Sequence, residues 1–231
     1  MNTVGVVASI IIFAVSCVAC ERVLHAATSV PTHQQITPTK VQGLIPVDPN
    51  QLKITDGLIT KYSTTEFAVR QSIRGEFGWE TRHEAEIGFI YRGPSAKSEP
   101  LASGEIRRQI GLKLLAKNTC NVFYIMWHIE PNKGIFVAVK SNPGESRHEE
   151  CRDNGYISVK STAQSPFLVH PIRIGENHTL RAVLDGKMIR VFTDGIQTWT
   201  GELPAEAATL NGPVGIRTDG GDFDVEMRVS Q

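Results

Sequence analysis

The chain has 231 residues, with 24 Lys+Arg against 24 Asp+Glu and so no net charge at pH 7. That balance gives no reason to expect a nucleic-acid or anionic-membrane partner, and any binding has to use a local site. Hydrophobic residues make up 41% of the chain, and about 180 residues remain once an N-terminal region is set aside, a length that suits one domain better than two.

Val4 to Val18 is almost wholly apolar, shorter than the ~20 residues of a membrane-spanning helix and suited to a signal-peptide core. It ends in Cys17-Val18-Ala19-Cys20, where Ala19 before Cys20 is similar to a bacterial lipobox, whose cysteine becomes the lipidated first residue of the mature chain. Residues 1–20 are therefore read as an export signal. A lipoprotein lipidated on Cys20 and a simply secreted chain stand as alternatives, with a signal anchor as a third. From Glu21 to Asn50, Pro31, Pro38, Pro46 and Pro49 lie among Thr, Gln and Ser with few large apolar residues, which predicts a flexible linker over 21–50. Gly43-Leu44-Ile45 is the first stretch able to touch a domain spanning 51–231.

From Leu52 onward no long helical periodicity occurs, and the segments alternate as strands do. Glu66 to Arg74 is read as one strand. Ala85, Ile87, Phe89 and Tyr91 alternate with Glu84, Glu86, Gly88 and Ile90 as a half-buried strand, and Gly93 to Gly104, with two prolines, as a long exposed loop. Arg107 to Lys117 is read as a strand because it lies between strands with short connections. Val122 to Ile129 is nearly continuous in apolar residues and suits a central strand covered on both faces. That reading puts Trp127 in the core and makes His128 a satisfied core histidine. Pro131-Asn132 then turns the chain into a strand over Gly134 to Lys140.

Cys17 and Cys20 belong to the export segment, which leaves Cys120 and Cys151 as the obvious pair in an exported domain. A bridge there closes a loop of about 30 residues and stabilises by roughly 3–4 kcal/mol. The alternatives, a catalytic thiol or metal ligation by Cys151 with His148, lack family-like spacing. Lys140 to Tyr156 is dense in polar groups, and Arg147, His148 and Tyr156 suit sugar recognition, with planar groups for hydroxyls and an aromatic ring for stacking. The competing reading is a disulfide-pinned surface loop without a ligand. Trp199, between Thr198 and Thr200 at a strand end, and Trp79, after Gly78 near a turn, are the predicted exposed stacking platforms.

The end of the chain reads as a meander, with strands over 179–184, 187–193 and 196–202. Asp185-Gly186 and Asp194-Gly195 are each expected to supply the two positive-φ positions of a hairpin turn. In the final strand Phe223, Val225, Met227 and Val229 alternate with Asp222, Asp224, Glu226 and Arg228, one face core and the other wet. His178 to Gly195, followed by Gly212-Pro213-Val214-Gly215-Ile216-Arg217-Thr218-Asp219, resembles the closing half of concanavalin-A-like lectin/glucanase and laminin-G-like jelly rolls. The resemblance implies an all-β, two-sheet antiparallel β-sandwich and a carbohydrate partner.

Asp222, Asp224 and Glu226 fall on one face of one strand. They are similar to the Glu-x-Asp-x-Glu strand of glycoside hydrolases on this fold, which implies Asp222 and Glu226 as nucleophile and acid/base tuned by Asp224. The competing reading is a solvated face on an edge strand, where carboxylates deter edge-to-edge pairing. Asp219, Asp222 and Asp224 around Gly220-Gly221 are the weak candidates for a Ca2+ site, and otherwise no cofactor is expected. No phosphate loop, zinc helix or nucleophile elbow occurs. The sequence thus predicts an exported carbohydrate-binding or adhesion module, periplasmic, lipid-anchored or secreted, with no nucleic-acid partner and membrane contact only through an N-terminal anchor. A glycoside hydrolase or polysaccharide lyase on the same fold, and a sugar-free envelope scaffold, are the alternatives.

Overall fold

The computed structural model describes residue 36 and residues 41–101, 103–163 and 169–231. The expected export signal, with Cys20 and most of the expected linker, lies outside the described residues. The described chain is nearly all strand: β1 (Leu44–Pro46), β2 (Leu52–Asp56), β3 (Ile59–Lys61), β4 (Glu66–Val69), β5 (Ile73–Phe77), β6 (Glu84–Pro94) and β7 (Arg108–Asn118). There follow β8 (Asn121–Glu130), β9 (Gly134–Lys140), one helical turn α1 (His148–Cys151), β10 (Tyr156–Ser158), β11 (Asn177–Asp185), β12 (Met188–Thr193), β13 (Ile196–Glu202), β14 (Val214–Asp219) and β15 (Gly221–Ser230).

The strands form two antiparallel sheets. One runs β13-β12-β11-β6-β15-β4-β3, with β1 also paired to β15, and the other runs β10-β9-β8-β7-β14-β5-β2. The expected two-sheet sandwich is therefore what forms. Its core is filled by the inward residues of each strand: Ile87 and Phe89 of β6, Ile110, Leu112 and Leu114 of β7, Phe123, Ile125 and Trp127 of β8, and Phe223, Val225 and Met227 of β15. Trp127 meets Phe89 edge-on, with ring centroids 5.8 Å apart, an arrangement that adds a modest increment to what area burial supplies.

Several expectations need correction. The linker does not reach residue 50, because Leu44–Pro46 adds a strand to β15 and Val47 is buried in the core. Glu66 to Arg74 is not one strand. The chain leaves one sheet after Val69 and enters the other at Ile73, and Arg70 fastens the crossing by donating to the carbonyls of Val69 and Phe223. The exposed loop expected from Gly93 starts later, since β6 runs to Pro94. Between β11 and β12, Asp185 is paired in the ladder opposite Met188, so Gly186 and Lys187 form the turn and Gly186 alone takes positive φ. Asp194 and Gly195 do both take positive φ, as a two-residue turn of the kind expected there requires.

The final strand is central, held between β6 and β4, and not at an edge. Its outer face is also covered and not wet. Ile36 lies buried over the flanking strands, its side chain close to Gly88 of β6 and its amide donating to Glu66 Oε1 of β4 at 3.2 Å. Asp224 and Glu226 are buried as well. The outer face of the other sheet carries the open concavity.

Candidate functional site

Strand alternation in the second sheet sends Tyr124, Met126 and His128 of β8 outward while Phe123, Ile125 and Trp127 fill the core. The residues opposite them set what stands alongside. Gln109 of β7 pairs with His128, Gly111 with Met126 and Lys113 with Tyr124, while on the other side Ala138 of β9 pairs with Tyr124 and Phe136 with Met126. On β14, Arg217 lies opposite Gly111 and Asp219 opposite Gln109. A Cβ on Gly111 would sit 2.2 Å from the Ile125 carbonyl and 2.6 Å from the Met126 sulfur, so only glycine leaves room between Arg217 and Met126.

Gln109, Tyr124, Met126, His128, Phe136, Ala138 and Arg217 line a groove of about 570 Å³ with Arg107, Asn132, Tyr156 and Ser158. Two aromatic stacks define it. Phe136 lies on the His128 imidazole at 3.8 Å between centroids and 12° between planes, and Tyr156 stacks on Tyr124 at 6.2 Å. Phe136 and Tyr156 are 45% and 43% exposed, so each offers ring surface to a ligand. Lys140 places its ammonium 5.2 Å from the Tyr156 ring centre, and Arg217 its guanidinium 5.0 Å from that of Tyr124. A second cavity of about 390 Å³ shares His128 and Ile135 with the groove and is lined by Trp127, Thr198, Trp199 and His170.

Buried ion pairs hold the floor. Asp219 accepts from Arg74 at 2.7 Å, from Arg217 Nε at 2.8 Å and from the Gln109 amide. Burial opposes ionisation of Asp219, but Arg217 and Arg74 outweigh it and hold the carboxyl below its ordinary range. Burial likewise works against the Arg217 charge, and Asp219 with the two tyrosines keeps its pKa above the usual value. Lys113 is buried beside Glu76 at 2.5 Å, and burial lowers its pKa despite that partner. His128 is pushed down to about 3, first by burial and then by Arg107. Tyr124 is pushed up to about 12 by burial.

The loop between β9 and β10 places Tyr156. Cys120 and Cys151 are disulfide-bonded, as expected, with Cα atoms 5.8 Å apart. The Asn121 amide donates to the carbonyls of Asn142 and Glu145, and the Asn142 amide to those of Cys120 and Asn154. Lys140 Nζ donates to the Arg152 carbonyl. The loop is thereby fastened at both ends, and β10 is delivered against β9 with Tyr156 opposite Lys140.

Of the ligand-binding residues expected from sequence, Tyr156 alone lines this groove. Trp199 is only 7% exposed and belongs to the core. The register slips between Val191 and Phe192, and the slip sets Trp199 opposite the buried Val191. Trp79 is 86% exposed, as expected of it, but lines neither cavity. Arg147 and His148 are exposed in the loop and also line neither, the Arg147 guanidinium being engaged by Glu150 at 2.9 Å. His128 is buried, as expected, but on the outer face of the second sheet, where it lines both cavities. Arg107, Gln109, Tyr124, Phe136 and Arg217 were not singled out from sequence. The signal for two of them was there: Tyr124 stands with Met126 and His128 at alternate places in an apolar run, and Arg217 lies two residues from Asp219 on a return strand.

The carboxylate row of β15 sits on the other sheet. Asp224 accepts from Arg70 at 2.5 Å and from Arg92 at 2.7 Å, one guanidinium on each oxygen. Glu226 accepts from Arg228 at 2.7 Å, and burial raises the pKa of Asp222. With Asp224 and Glu226 buried and bound by arginines, this row is built as an ion-pair network and does not present two carboxyls to a substrate. Asp219, Asp222 and Asp224 are not among the clusters of converging ligand atoms found in the described residues, and arginines engage Asp219 and Asp224. The sulfurs of Cys120 and Cys151 are consumed by their mutual bond.

No protein-family model and no curated protein matches the sequence. Among solved structures, the chain is similar to a carbohydrate-binding module, CBM66, from Bacillus subtilis, with TM-score 0.53 and 8% identity over 76% of this chain and 92% of that one. It is also similar to a protein designated a glycosyl hydrolase from Parabacteroides distasonis, with TM-score 0.50 and 11% identity over 81% of this chain and 98% of that one. At such identities the likeness is one of fold, and the fold is that of the concanavalin-A-like jelly rolls.

Proposed function

We propose that the chain is an exported carbohydrate-binding module that holds a glycan in the groove of the second sheet. The observation that carries this reading is the pair of half-exposed rings, Tyr156 and Phe136, each stacked on a buried aromatic partner and flanked by Arg107, Arg217, Asn132 and Ser158. Apolar sugar faces pack on rigid rings, and their hydroxyls and polar substituents take planar donors and acceptors beside them. The fold shared with a carbohydrate-binding module supports the same reading. Export is supported by the Cys120–Cys151 bond, which forms and persists in oxidising compartments. The apolar N-terminal run supports it too, with Cys20 as the site of a lipid anchor or the neighbourhood of simple cleavage.

Binding is favoured over catalysis because the two buried proton carriers of the groove are tuned away from neutral pH. His128 lies near 3 and Tyr124 near 12, whereas an efficient general acid or base has a pKa close to the working pH. The test is a glycan array followed by calorimetric titration of the best ligand. Tyr156→Ala and Phe136→Ala should each weaken binding with little change in melting temperature, and incubation should release neither reducing ends nor unsaturated products. Turnover of the bound glycan would replace this reading with an enzymatic one. Unchanged affinity in both variants would remove the groove from the binding site.

A further inference from the structure

The groove has polar features that its own residues leave unsatisfied. Its lining includes two guanidinium groups, Arg107 and Arg217, and no carboxylate. Two buried polar atoms in its wall have no partner among the described residues, the donor Arg107 Nε and the acceptor Gln109 Oε1. Buried groups of this kind are normally satisfied. The orientation of Gln109 is fixed from behind, because its amide nitrogen donates to Asp219 and so turns Oε1 away from that carboxylate. The charges behind the wall do not cancel. Asp219 is a single carboxylate shared between Arg74 and Arg217, so that cluster keeps one positive charge uncompensated. Arg107 is paired through Nη2 with Glu105, and the Nε beside it on the same edge is left without a partner.

We infer that the groove selects an acidic saccharide, with a uronate carboxylate seated beside Arg107 and Arg217, a neighbouring hydroxyl donating to Gln109 Oε1, and the sugar ring against Phe136 or Tyr156. The inference rests on the groove being the glycan site and adds which glycans it takes. Guanidinium groups suit this task because their planar donors match a carboxylate at a well-defined geometry. Such an anion would satisfy the open donor and meet the surplus charge at once. Burial is the first cause of the low pKa of His128, and the same two arginines add to it against the opposing charge of Asp219. A neutral sugar could fill the volume but would leave the surplus charge in place.

The test uses the full chain and four polymers: polygalacturonate, its fully methyl-esterified form, a sulfated glycosaminoglycan and an uncharged glucan. Polygalacturonate should bind, with esterification weakening it by about tenfold or more, as expected for loss of a charge-assisted contact. Arg107→Gln should weaken the acid form similarly and the esterified form much less. Gln109→Glu, which sets a carboxylate in the wall, should abolish binding of the acid form and keep the fold by circular dichroism. NMR titration of His128 should show its pKa rising on binding of polygalacturonate. Equal affinity for the esterified polymer or the glucan would overturn this inference while leaving the glycan-binding proposal standing. Preference for the sulfated polymer over the uronate would overturn the choice of carboxylate. Binding of none of the four overturns the inference, and failure of every ligand on the array as well would bring down the parent proposal.

Discussion

Removing the Cys120–Cys151 bond tests both the stability and the site geometry. The bond spans 31 residues in sequence, and in the chain-entropy model a closed loop of that length stabilises by roughly 3.5–4 kcal/mol at 25 °C. Both sulfurs are buried, so the clean perturbation is the double variant Cys120→Ala/Cys151→Ala, which leaves no stray thiol. For a domain of this size each kcal/mol moves Tm by about 2–4 °C, so the variant should melt roughly 8–15 °C lower. Urea denaturation supplies the free energy directly. The Asn121 and Asn142 amides survive the substitution, so the loop should remain in place in the folded state and merely fluctuate more. Glycan affinity should then fall by a few-fold through the cost of ordering Tyr156, and not to zero. A loss of less than about 1 kcal/mol would refute the loop-entropy account. Complete loss of the fold would mean that the bond carries the sandwich itself and not its loop.

Three further outcomes follow from the buried charges. His128 is held unprotonated to about pH 3, whereas an unfolded histidine titrates near 6.5. Stability contributed by its neutral form is therefore full above pH 6.5 and is lost as pH falls, at up to about 1.4 kcal/mol per pH unit. His128→Gln should remove one proton's worth of that slope in urea melts between pH 6 and 4, and an identical slope would contradict it. Lys113→Met strands Glu76 and should cost about 3–5 kcal/mol, while Lys113→Met/Glu76→Gln should recover most of the loss. Additive costs in that double-mutant cycle would show that the two groups do not interact. Asp224→Asn should destabilise by about 1–3 kcal/mol, the figure being kept low because the arginines reach solvent, and should leave glycan affinity unchanged.

What the sequence disclosed and what it hid divide along a physical line. Local alternation sufficed for the meander, the inward faces of β6 and β15 and the presence of strand over 108–118, because side-chain period two is a property of one strand alone. The pairing of Cys120 with Cys151 was legible from compartment and count. Pairing partners were not. Placing β15 at an edge followed from its place in the sequence, whereas its neighbours β4 and β6 come from much earlier in the chain. The same blindness affected the site. An apolar run such as Val122 to Ile129 implies that both faces are covered, but here the residues covering the outer face are Arg217, Phe136 and Tyr156 from three other strands. Trp199 was misplaced by a register slip between Val191 and Phe192 that leaves no mark in composition.

The position of β15 bears on how the chain comes to be folded. In its sheet, Val225 pairs with Phe67 on one side and Phe89 on the other, so neither half of that sheet can join the other until the residues up to Ser230 have been synthesised. Before then β6 and β4 expose unpaired edges, and contacts of such long range form slowly. A nascent chain lacking its central strand stays open. Under the export proposed above, that delay would leave the sandwich open until the chain had crossed a membrane and its cysteines had met an oxidant.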